Sequence, residues 1–185
     1  MKKVFIDCGG HNGCSVRKFR KKIDPHSEME IVSFEPNPDF ESFFLEFKNH
    51  TLHKKAVWIS DGSLDFYLDR IDGDGSSLIK EKSTGFIDTK NPLRVESIDL
   101  SSWIKNNYNL NDFIILKMDI EGAEYKVLKK MIDEETINYI NQLLIEWHWK
   151  KIGITYEEHL EVLKGLNRHK VPIDETWDGC WVNQG

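Results

Sequence analysis

The sequence predicts an α/β fold in which helices cover both faces of a mostly parallel sheet. Short apolar runs recur at residues 4–6, 31–34, 113–118 and 142–145, and an acidic residue directly follows each run. Segments with the apolar spacing of amphipathic helices lie between these runs. Such alternation is typical of a parallel sheet, which binds its ligands at the carboxyl ends of the strands.

Length and composition predict one domain spanning residues 1–185. The chain is 39% hydrophobic and contains ten Phe and six Trp, enough apolar surface for a core without disulfide support. Its three cysteines, Cys8, Cys14 and Cys180, lack the paired spacing of a disulfide framework or a zinc site, which favours a reducing compartment. We therefore expect a cytoplasmic protein.

Charge and hydropathy argue against two classes of partner. A net charge of -6 and a pI near 5.7 disfavour nucleic acid, and the basic block at residues 17–22 is interpreted as a solvated helix face. The N-terminal lysines precede no apolar stretch of a signal peptide's length, and no run approaches the roughly 20 apolar residues of a membrane span. The expected protein is soluble and binds no membrane.

The elements follow from apolar periodicity and turn signals. In order, they are a strand at 4–6, a helix at 15–22, a strand at 31–34, a helix from about 36 to 48, strands at 52–58, 63–68 and 95–100, a helix at 101–108, a strand at 113–118, a helix at 125–140, a strand at 142–146 and a helix at 155–169. Ser15 is the expected N-cap of the first helix, and the strand at 63–68 is an expected antiparallel excursion.

Two further segments carry specific expectations. Residues 69–92 have little periodicity and are predicted to form an active-site loop. At the C-terminus, residues 170–176 and 180–183 flank the turn signal Asp178-Gly179, which predicts an antiparallel hairpin that closes the sheet.

The first strand ends in a glycine loop with the spacing Asp7-x-Gly9-x-x-x-Gly13. Glycine lets the backbone pass close to a ligand beside a helix N-terminus. The spacing differs from the dinucleotide fingerprint, and an acid at this position would repel a pyrophosphate but attract a cationic ligand. A tight turn that holds no ligand is the alternative interpretation.

Glu35 lies at the end of the second strand, 22 residues beyond Gly13. An α/β nucleotide site places the carboxylate that accepts the ribose hydroxyls there. A helix-capping role is the alternative, and the preceding glycine loop favours the ribose interpretation.

Acidic residues also follow the two later strands. Asp119, Glu121 and Glu124 come after the run ending at Met118 and are preceded by Lys117, which could orient them. Glu146 and His148 follow the next strand, and carboxylates with a histidine can remove a hydroxyl proton or bind Mg²⁺ or Mn²⁺. Helix-dipole stabilisation by Glu121 and Glu124, and a purely structural His148, remain open.

Seven segments, in order, resemble the FkbM-type methyltransferase family over nearly the whole chain. They are the segments at 5–13, 34–37, 56–57, 75–78, 95–99, 116–124 and 145–146. The resemblance implies a Rossmann-like methyltransferase fold of seven strands, S-adenosylmethionine as methyl donor, and O-methylation of a sugar or another small hydroxylated acceptor.

The resemblance also implies roles for individual residues. By this resemblance, Asp7, Gly9, Asn12, Gly13 and Glu35 would hold the cofactor. The expected cofactor-binding set also includes Ser15, Pro36, Ala56, Val57 and Asp119. The acids after Leu116 would face the transferred methyl group. Position and chemistry make Asp119, Glu146, His148 and Lys117 the candidate catalytic residues, while a divalent metal ion stays undetermined.

The sequence leaves three alternative functions to compare with methyl transfer to a small hydroxylated molecule. A catalytically inactive nucleotide-binding or interaction domain with the same fold would bind the cofactor without turnover. A nicotinamide-dependent oxidoreductase is disfavoured by the glycine spacing, and an RNA methyltransferase by the acidic balance. Because the chain starts almost directly at the first strand, we expect an open acceptor cleft. An open cleft favours a larger or polymeric acceptor, or a partner chain or, in a homo-oligomer, a second copy that supplies the missing wall.

Overall fold

The computed structural model describes residues 1–177, which form two sheets and four α-helices. The strands are β1 (Lys3–Cys8), β2 (Glu30–Phe34), β3 (His50–His53), β4 (Ala56–Trp58), β5 (Gly62–Phe66), β6 (Leu93–Asp99), β7 (Phe113–Met118), β8 (Gln142–Ile145) and β9 (Ile173–Asp174). The helices are α1 (Cys14–Lys22), α2 (Leu100–Asn107), α3 (Glu124–Asp133) and α4 (Tyr156–Arg168). Short 3-10 helices cover Pro38–Phe44, Thr136–Tyr139 and Trp149–Lys151.

The larger sheet has the strand order β3-β2-β1-β7-β8-β9, and all neighbouring strands are parallel. Counted within this sheet alone, the order is 3-2-1-4-5-6, which is the doubly wound arrangement. Successive strands are added on one side of β1 up to β3 and on its other side from β7 onwards. The loops after β1 and β7 therefore run in opposite directions and leave a crevice at the carboxyl edge. The predicted α/β fold of Rossmann-like type is confirmed.

Side chains alternate across the central strands and build a core on each face. Val4 and Ile6 of β1 pack in a cluster with residues of α2, α3 and α4, whereas Phe5 packs with α1 on the other face. The rings of Phe5 and Phe19 stack with centroids 4.0 Å apart. Helices therefore cover both faces, as predicted.

The predicted third strand at 52–58 is wrong as a single element. The N–H of Lys55 donates to the carbonyl of His53 at 2.8 Å, and this tight turn separates β3 from β4. β3 joins the large sheet, while β4 lies parallel to β6 in a small sheet of order β4-β6-β5. β5 is antiparallel to β6, so the antiparallel excursion is confirmed but lies in this second sheet. The described strands are thus divided as six and three, not gathered in one sheet of seven.

Three helix boundaries differ from the predictions. Gly13, at φ 76°, precedes α1 and its carbonyl accepts the N–H of Arg17, so Ser15 lies inside the helix and is not the N-cap. The segment after Pro36 is a 3-10 helix that ends at Phe44. The predicted helix at 125–140 ends at Asp133, because Glu135 adopts a left-handed conformation with φ 58°.

The predicted C-terminal hairpin is only partly visible. Asp178-Gly179 and residues 180–183 lie outside the described residues. In the first arm, β9 follows α4 and pairs parallel to β8, as a crossover connection dictates. The antiparallel pairing of the two arms stays a prediction, because the second arm lies outside the described residues. Among the helices of residues 1–177, none is long and apolar enough to cross a membrane.

Leu116 provides a test of the core. Its side chain is fully buried in β7, whereas Leu110 is 63% exposed. We expect Leu116→Ala to lower the free energy of unfolding by about 2–5 kcal/mol, because it leaves a cavity between the sheet and its helices. Urea denaturation measures the loss, and the control Leu110→Ala should change it by less than about 0.5 kcal/mol. Equal effects of the two substitutions would contradict the assigned core.

Candidate functional site

The turn after β1 is held against the ends of two neighbouring strands. The N–H groups of Gly9 and Gly10 both donate to the carbonyl of Phe34, at 3.0 and 3.1 Å, at the end of β2. Gly9 has φ 82°, and a Cβ there would lie 1.9 Å from the carbonyl oxygen of Asp119. Only glycine allows this approach, so the turn and the end of β7 form one surface.

A buried ion pair lies beneath this turn. Asp7 and Lys117 are partners in the register of β1 and β7, and Lys117 Nζ lies 3.3 Å from Asp7 Oδ1 and 3.6 Å from Asp119 Oδ2. The ammonium group also donates to the carbonyl of Gly9 at 2.6 Å. Burial lowers the pKa of Lys117, but the Asp7 and Asp119 carboxylates outweigh burial and raise it, so the side chain stays charged.

The position of Asp7 differs from the expected one. β1 continues to Cys8, so Asp7 lies within the sheet and is fully buried. Its carboxylate also accepts a hydrogen bond from Ser33 Oγ at 3.3 Å. Because Lys117 already supplies the opposite charge, this position fits a role in holding the turn rather than direct contact with a cationic ligand.

Glu35 joins the loops that follow β1 and β2. Its Oε2 accepts the N–H of His11 at 2.7 Å, and its Oε1 accepts the N–H of Asn37 at 2.8 Å. Burial raises the pKa of the Glu35 carboxyl to about 7, while the two N–H groups lower it. The helix-capping alternative does not describe this contact, since Asn37 itself caps the following 3-10 helix.

A cleft runs along the carboxyl edge between these loops and has two adjoining parts. The inner part measures about 60 Å³ and the outer part about 360 Å³. Gly9, His11, Asp74, Asp119 and Glu121 line both parts. The cleft lies at the switch point between β1 and β7, where ligands of doubly wound sheets bind.

Most of the predicted site residues line this cleft. In the inner part these are Gly9, Glu35, Pro36, Ala56, Val57 and Asp119. In the outer part they are Gly9, Asn12, Ser15, Lys117, Asp119 and Glu146. Asp7, Gly13 and His148 line neither part. At Gly13 a Cβ would lie 2.8 Å from the ring of Phe47, so this glycine allows loop packing rather than contact with the cleft.

Residues 69–92, the covering segment, connect β5 to β6 across the inner part of the cleft. Gly73, Asp74, Ser76 and Leu78 line that part. Ser77 Oγ donates to the carbonyl of Glu121 at 2.7 Å. The segment predicted as an active-site loop thus lies directly over the cleft.

The covering segment contributes a buried lysine that the sequence did not reveal. Lys82 Nζ lies 2.7 Å from Glu121 Oε2 and donates to the carbonyl of Gly75 at 2.5 Å. Its side chain is buried although its neighbours Lys80 and Glu81 are exposed. A lone lysine in a segment without periodicity has no sequence signal that would distinguish it from a surface residue.

An acid–histidine cluster, defined as Asp119, Glu121, Glu124, Glu146 and His148, forms the floor beside the cleft. Glu124 is fully buried, and its Oε1 lies 2.9 Å from the N–H of His148 and 3.0 Å from His148 Nδ1. Its Oε2 accepts the N–H of Gly122 at 2.8 Å. Glu124 therefore fixes the histidine and does more than stabilise the start of α3.

The other imidazole nitrogen faces three carboxylates. His148 Nε2 lies 3.3 Å from Glu146 Oε1, 3.4 Å from Glu121 Oε1 and 3.7 Å from Asp119 Oδ1. Burial lowers the pKa of His148, but Glu121, Glu124 and Glu146 raise it to about 11. One ligand atom from each of Asp119, Glu146 and His148 lies within 4.8 Å of the others. The structure thus brings together the acids and the histidine that the sequence placed at two strand ends.

Comparisons of the sequence and the structure with known proteins give similarities to methyltransferases. The sequence matches the family described as the methyltransferase FkbM domain over residues 7–170. Methyltransferase 1 of Beauveria bassiana (strain ARSEF 2860) is 24% identical over 161 residues, covering 77% of this chain and 63% of that protein, so the chain spans less than two thirds of this relative. The crystal structure of methyltransferase FkbM from Methylobacillus flagellatus KT matches 71% of this chain and 29% of its own, with 15% identity and a TM-score of 0.44.

The family match includes the glycine turn, Glu35, the covering segment and the acid–histidine cluster, since all of them lie between residues 7 and 170. The chain therefore belongs to the FkbM methyltransferase family.

Proposed function

We propose that this chain is an S-adenosylmethionine-dependent O-methyltransferase acting on a hydroxyl group of a sugar or another small hydroxylated molecule. The observation that carries the proposal is the position of Asp119 and Glu121, which line both parts of the cleft and belong to the acid–histidine cluster. Groups able to take up a hydroxyl proton therefore adjoin a ligand cleft at the switch point of the sheet.

The residues of the inner part fit the nucleoside half of the cofactor. Ala56, Val57 and Phe66 supply apolar surface for a base, and Glu35 supplies a carboxylate for ribose hydroxyls. Each Glu35 oxygen accepts one backbone N–H and keeps a further lone pair for a ligand. The volume of about 60 Å³ holds only a few water molecules, so we expect the covering segment to shift outward when a nucleoside binds.

The outer part supplies the groups for the reaction. When bound, the cofactor provides a methyl group on a sulfonium sulfur, and the S–C bond breaks as an O–C bond forms to the acceptor. Asp119 or Glu146 would take up the proton that the acceptor hydroxyl releases, and His148, which its neighbouring carboxylates keep protonated, would hold these carboxylates in place. Lys117 acts as a positioning residue because its ammonium holds Asp119 and the Gly9 turn.

The outer part of the cleft has a volume of about 360 Å³ and a largely polar lining, which indicates the class of acceptor. Asp72, Asp74 and Lys151 add polar groups to its wall. Hydroxyl groups can donate to such carboxylates and accept from the lysine, which suits a sugar-sized acceptor.

Direct titration tests cofactor binding. We expect the parent chain to bind S-adenosylmethionine and not NAD in a calorimeter, because the glycine turn lacks the dinucleotide spacing. Glu35→Gln should weaken binding by about 10- to 100-fold, the worth of a hydrogen bond to a charged group. Glu28→Gln, at an exposed glutamate before β2, is the matched control. No binding of S-adenosylmethionine by the parent chain would refute the proposal.

The pH dependence of binding tests the charge state of Glu35. Burial raises the pKa of its carboxyl to about 7, and ribose hydroxyls that donate to the ionised form lower that pKa in the complex. Binding then releases a proton, so affinity should rise by at most about tenfold per pH unit up to pH 7 and level off above. 5′-Methylthioadenosine, which has no amino acid group, should show the same profile. An unchanged profile in Glu35→Gln would assign the titration to another group.

Substitutions in the acid–histidine cluster test turnover. Asp119→Asn, Glu146→Gln and His148→Gln should each lower kcat, by about 10²- to 10⁴-fold for the carboxylate that removes the proton and by less for His148, which holds the carboxylates in place. Transfer of labelled methyl from S-adenosylmethionine to a panel of sugars and polyols measures the effect. Glu161→Gln, at an exposed position on α4, is the control and should keep the parent rate. Cofactor binding without transfer to any acceptor would favour the inactive binding domain.

A further inference from the structure

The acid–histidine cluster has the arrangement of a cation site. His148 is 1% exposed, and its Nε2 atom forms no hydrogen bond of good geometry within residues 1–177, although three carboxylate oxygens lie 3.3–3.7 Å from it. A buried polar atom without a partner costs free energy unless a ligand completes it. Here that atom points at carboxylate oxygens of Asp119, Glu121 and Glu146.

Glu124 sets the tautomer of the imidazole. Its Oε1 lies 2.9 Å from the backbone N–H of His148 and 3.0 Å from Nδ1, so this oxygen acts as an acceptor and Nδ1 carries a hydrogen. Metal-binding histidines usually donate their second ring N–H to a carboxylate in this way. Nε2 is thereby directed towards Asp119 and Glu146. The surrounding carboxylates keep a proton on the imidazole in the metal-free chain, so an ion that binds Nε2 displaces this proton.

In both Asp119 and Glu121, one carboxylate oxygen lies beside a lysine and the other faces His148. Asp119 Oδ2 lies 3.6 Å from Lys117, and its Oδ1 faces His148. Glu121 Oε2 lies 2.7 Å from Lys82 and 3.5 Å from Lys151, and its Oε1 faces His148. The lysines therefore lie beside the outer oxygens of these carboxylates, and the inner oxygen of each carboxylate faces His148 Nε2.

We propose that Asp119, Glu146 and His148 bind one divalent first-row metal ion of the Mn²⁺ type, beside Glu121. One imidazole nitrogen with carboxylate oxygens suits such an ion, whereas Mg²⁺ prefers oxygen ligands alone. With metal–ligand bonds of about 2.2 Å, two atoms on one ion lie at most about 4.4 Å apart. His148 Nε2 lies within this limit of both carboxylates, 3.3 Å from Glu146 Oε1 and 3.7 Å from Asp119 Oδ1. The three ligand atoms lie within 4.8 Å of one another, so binding one ion draws them closer together.

The role of this ion rests on the proposed function, but its binding does not. Asp119 and Glu146 line the outer part of the cleft, so the ion would be reached from the acceptor side. A metal ion that coordinates a hydroxyl oxygen lowers the pKa of that hydroxyl and orients it for methyl transfer. This assigns metal binding and acceptor activation to the same residues.

Manganese titration of the metal-free chain tests the proposal without any assay of turnover. We expect one Mn²⁺ per chain by electron paramagnetic resonance, with ¹⁴N coupling from His148 in the spin-echo spectrum. Glu146→Gln, whose side chain is 39% exposed, should weaken binding at least tenfold without a change in thermal stability. Glu124→Gln should weaken it about 10- to 100-fold through the histidine orientation. Glu161→Gln should bind as the parent does.

The outcomes separate this inference from the proposed function. Absence of Mn²⁺ binding below about 1 mM, bound Mn²⁺ without nitrogen coupling, or equal affinity in Glu146→Gln would each overturn the metal site. His148→Gln should abolish the nitrogen coupling, and Asp119→Asn provides a second ligand variant if Glu146→Gln is unstable. Calorimetry with S-adenosylmethionine on the same metal-free protein measures cofactor binding independently. Failure of Mn²⁺ binding would therefore leave the proposed function standing, and failure of cofactor binding would leave the metal site standing.

Discussion

The buried ammonium of Lys117 is the interaction on which the site depends. It joins the Gly9 carbonyl, Asp7 and Asp119, and so connects the turn after β1 to the end of β7 at the switch point of the sheet. Removing one partner of a buried pair costs about 3–5 kcal/mol because the other charge remains uncompensated. The turn geometry is therefore tied to charge pairing as well as to glycine conformation.

The same charge pairing extends into the acid–histidine cluster. Lys117 lies beside one oxygen of Asp119, and Lys82 lies beside one oxygen of Glu121. Glu124 contacts the Nδ1 atom of His148. Each contact restrains a side chain whose other polar atom faces the centre of the cluster. Preorganisation of this kind positions reactive groups before a ligand arrives, which reduces the reorganisation that the reaction requires.

The central strands of the large sheet and the position of its carboxyl edge could be predicted from the sequence. Strands buried on both faces are continuous apolar runs, so β1, β2, β7 and β8 were visible, and the acid after each run marked the carboxyl edge. The segment at 52–58 was misjudged because a single turn at Lys55 moves the chain from one sheet to the other, and no glycine or proline marks it. Asp7 was placed at the strand end because its apolar run stops at Ile6, although pairing with β2 and β7 continues through Cys8.

The directions of the site side chains and their contacts with residues distant in the chain could not be predicted from the sequence. Whether Glu146 and His148 meet Asp119 depends on the adjacency of β7 and β8 and on the turn that brings His148 back to Glu124. The partner of Lys82 lies 39 positions along the chain, in a different element, and only the folded path of the covering segment joins them. Spacing along a chain predicts contacts within one helix or strand, but contacts between loops depend on topology.

Glu121 links the covering segment to the chemistry of the cluster. Its backbone carbonyl accepts the hydroxyl of Ser77, its Oε2 pairs with Lys82, and its Oε1 faces His148. Any movement of Ser77 and Lys82 would therefore change the charge that Glu121 presents to the cluster. The covering segment and the cluster are thus joined by direct contacts of a single residue, which is a continuous physical connection between the cleft wall and the cluster.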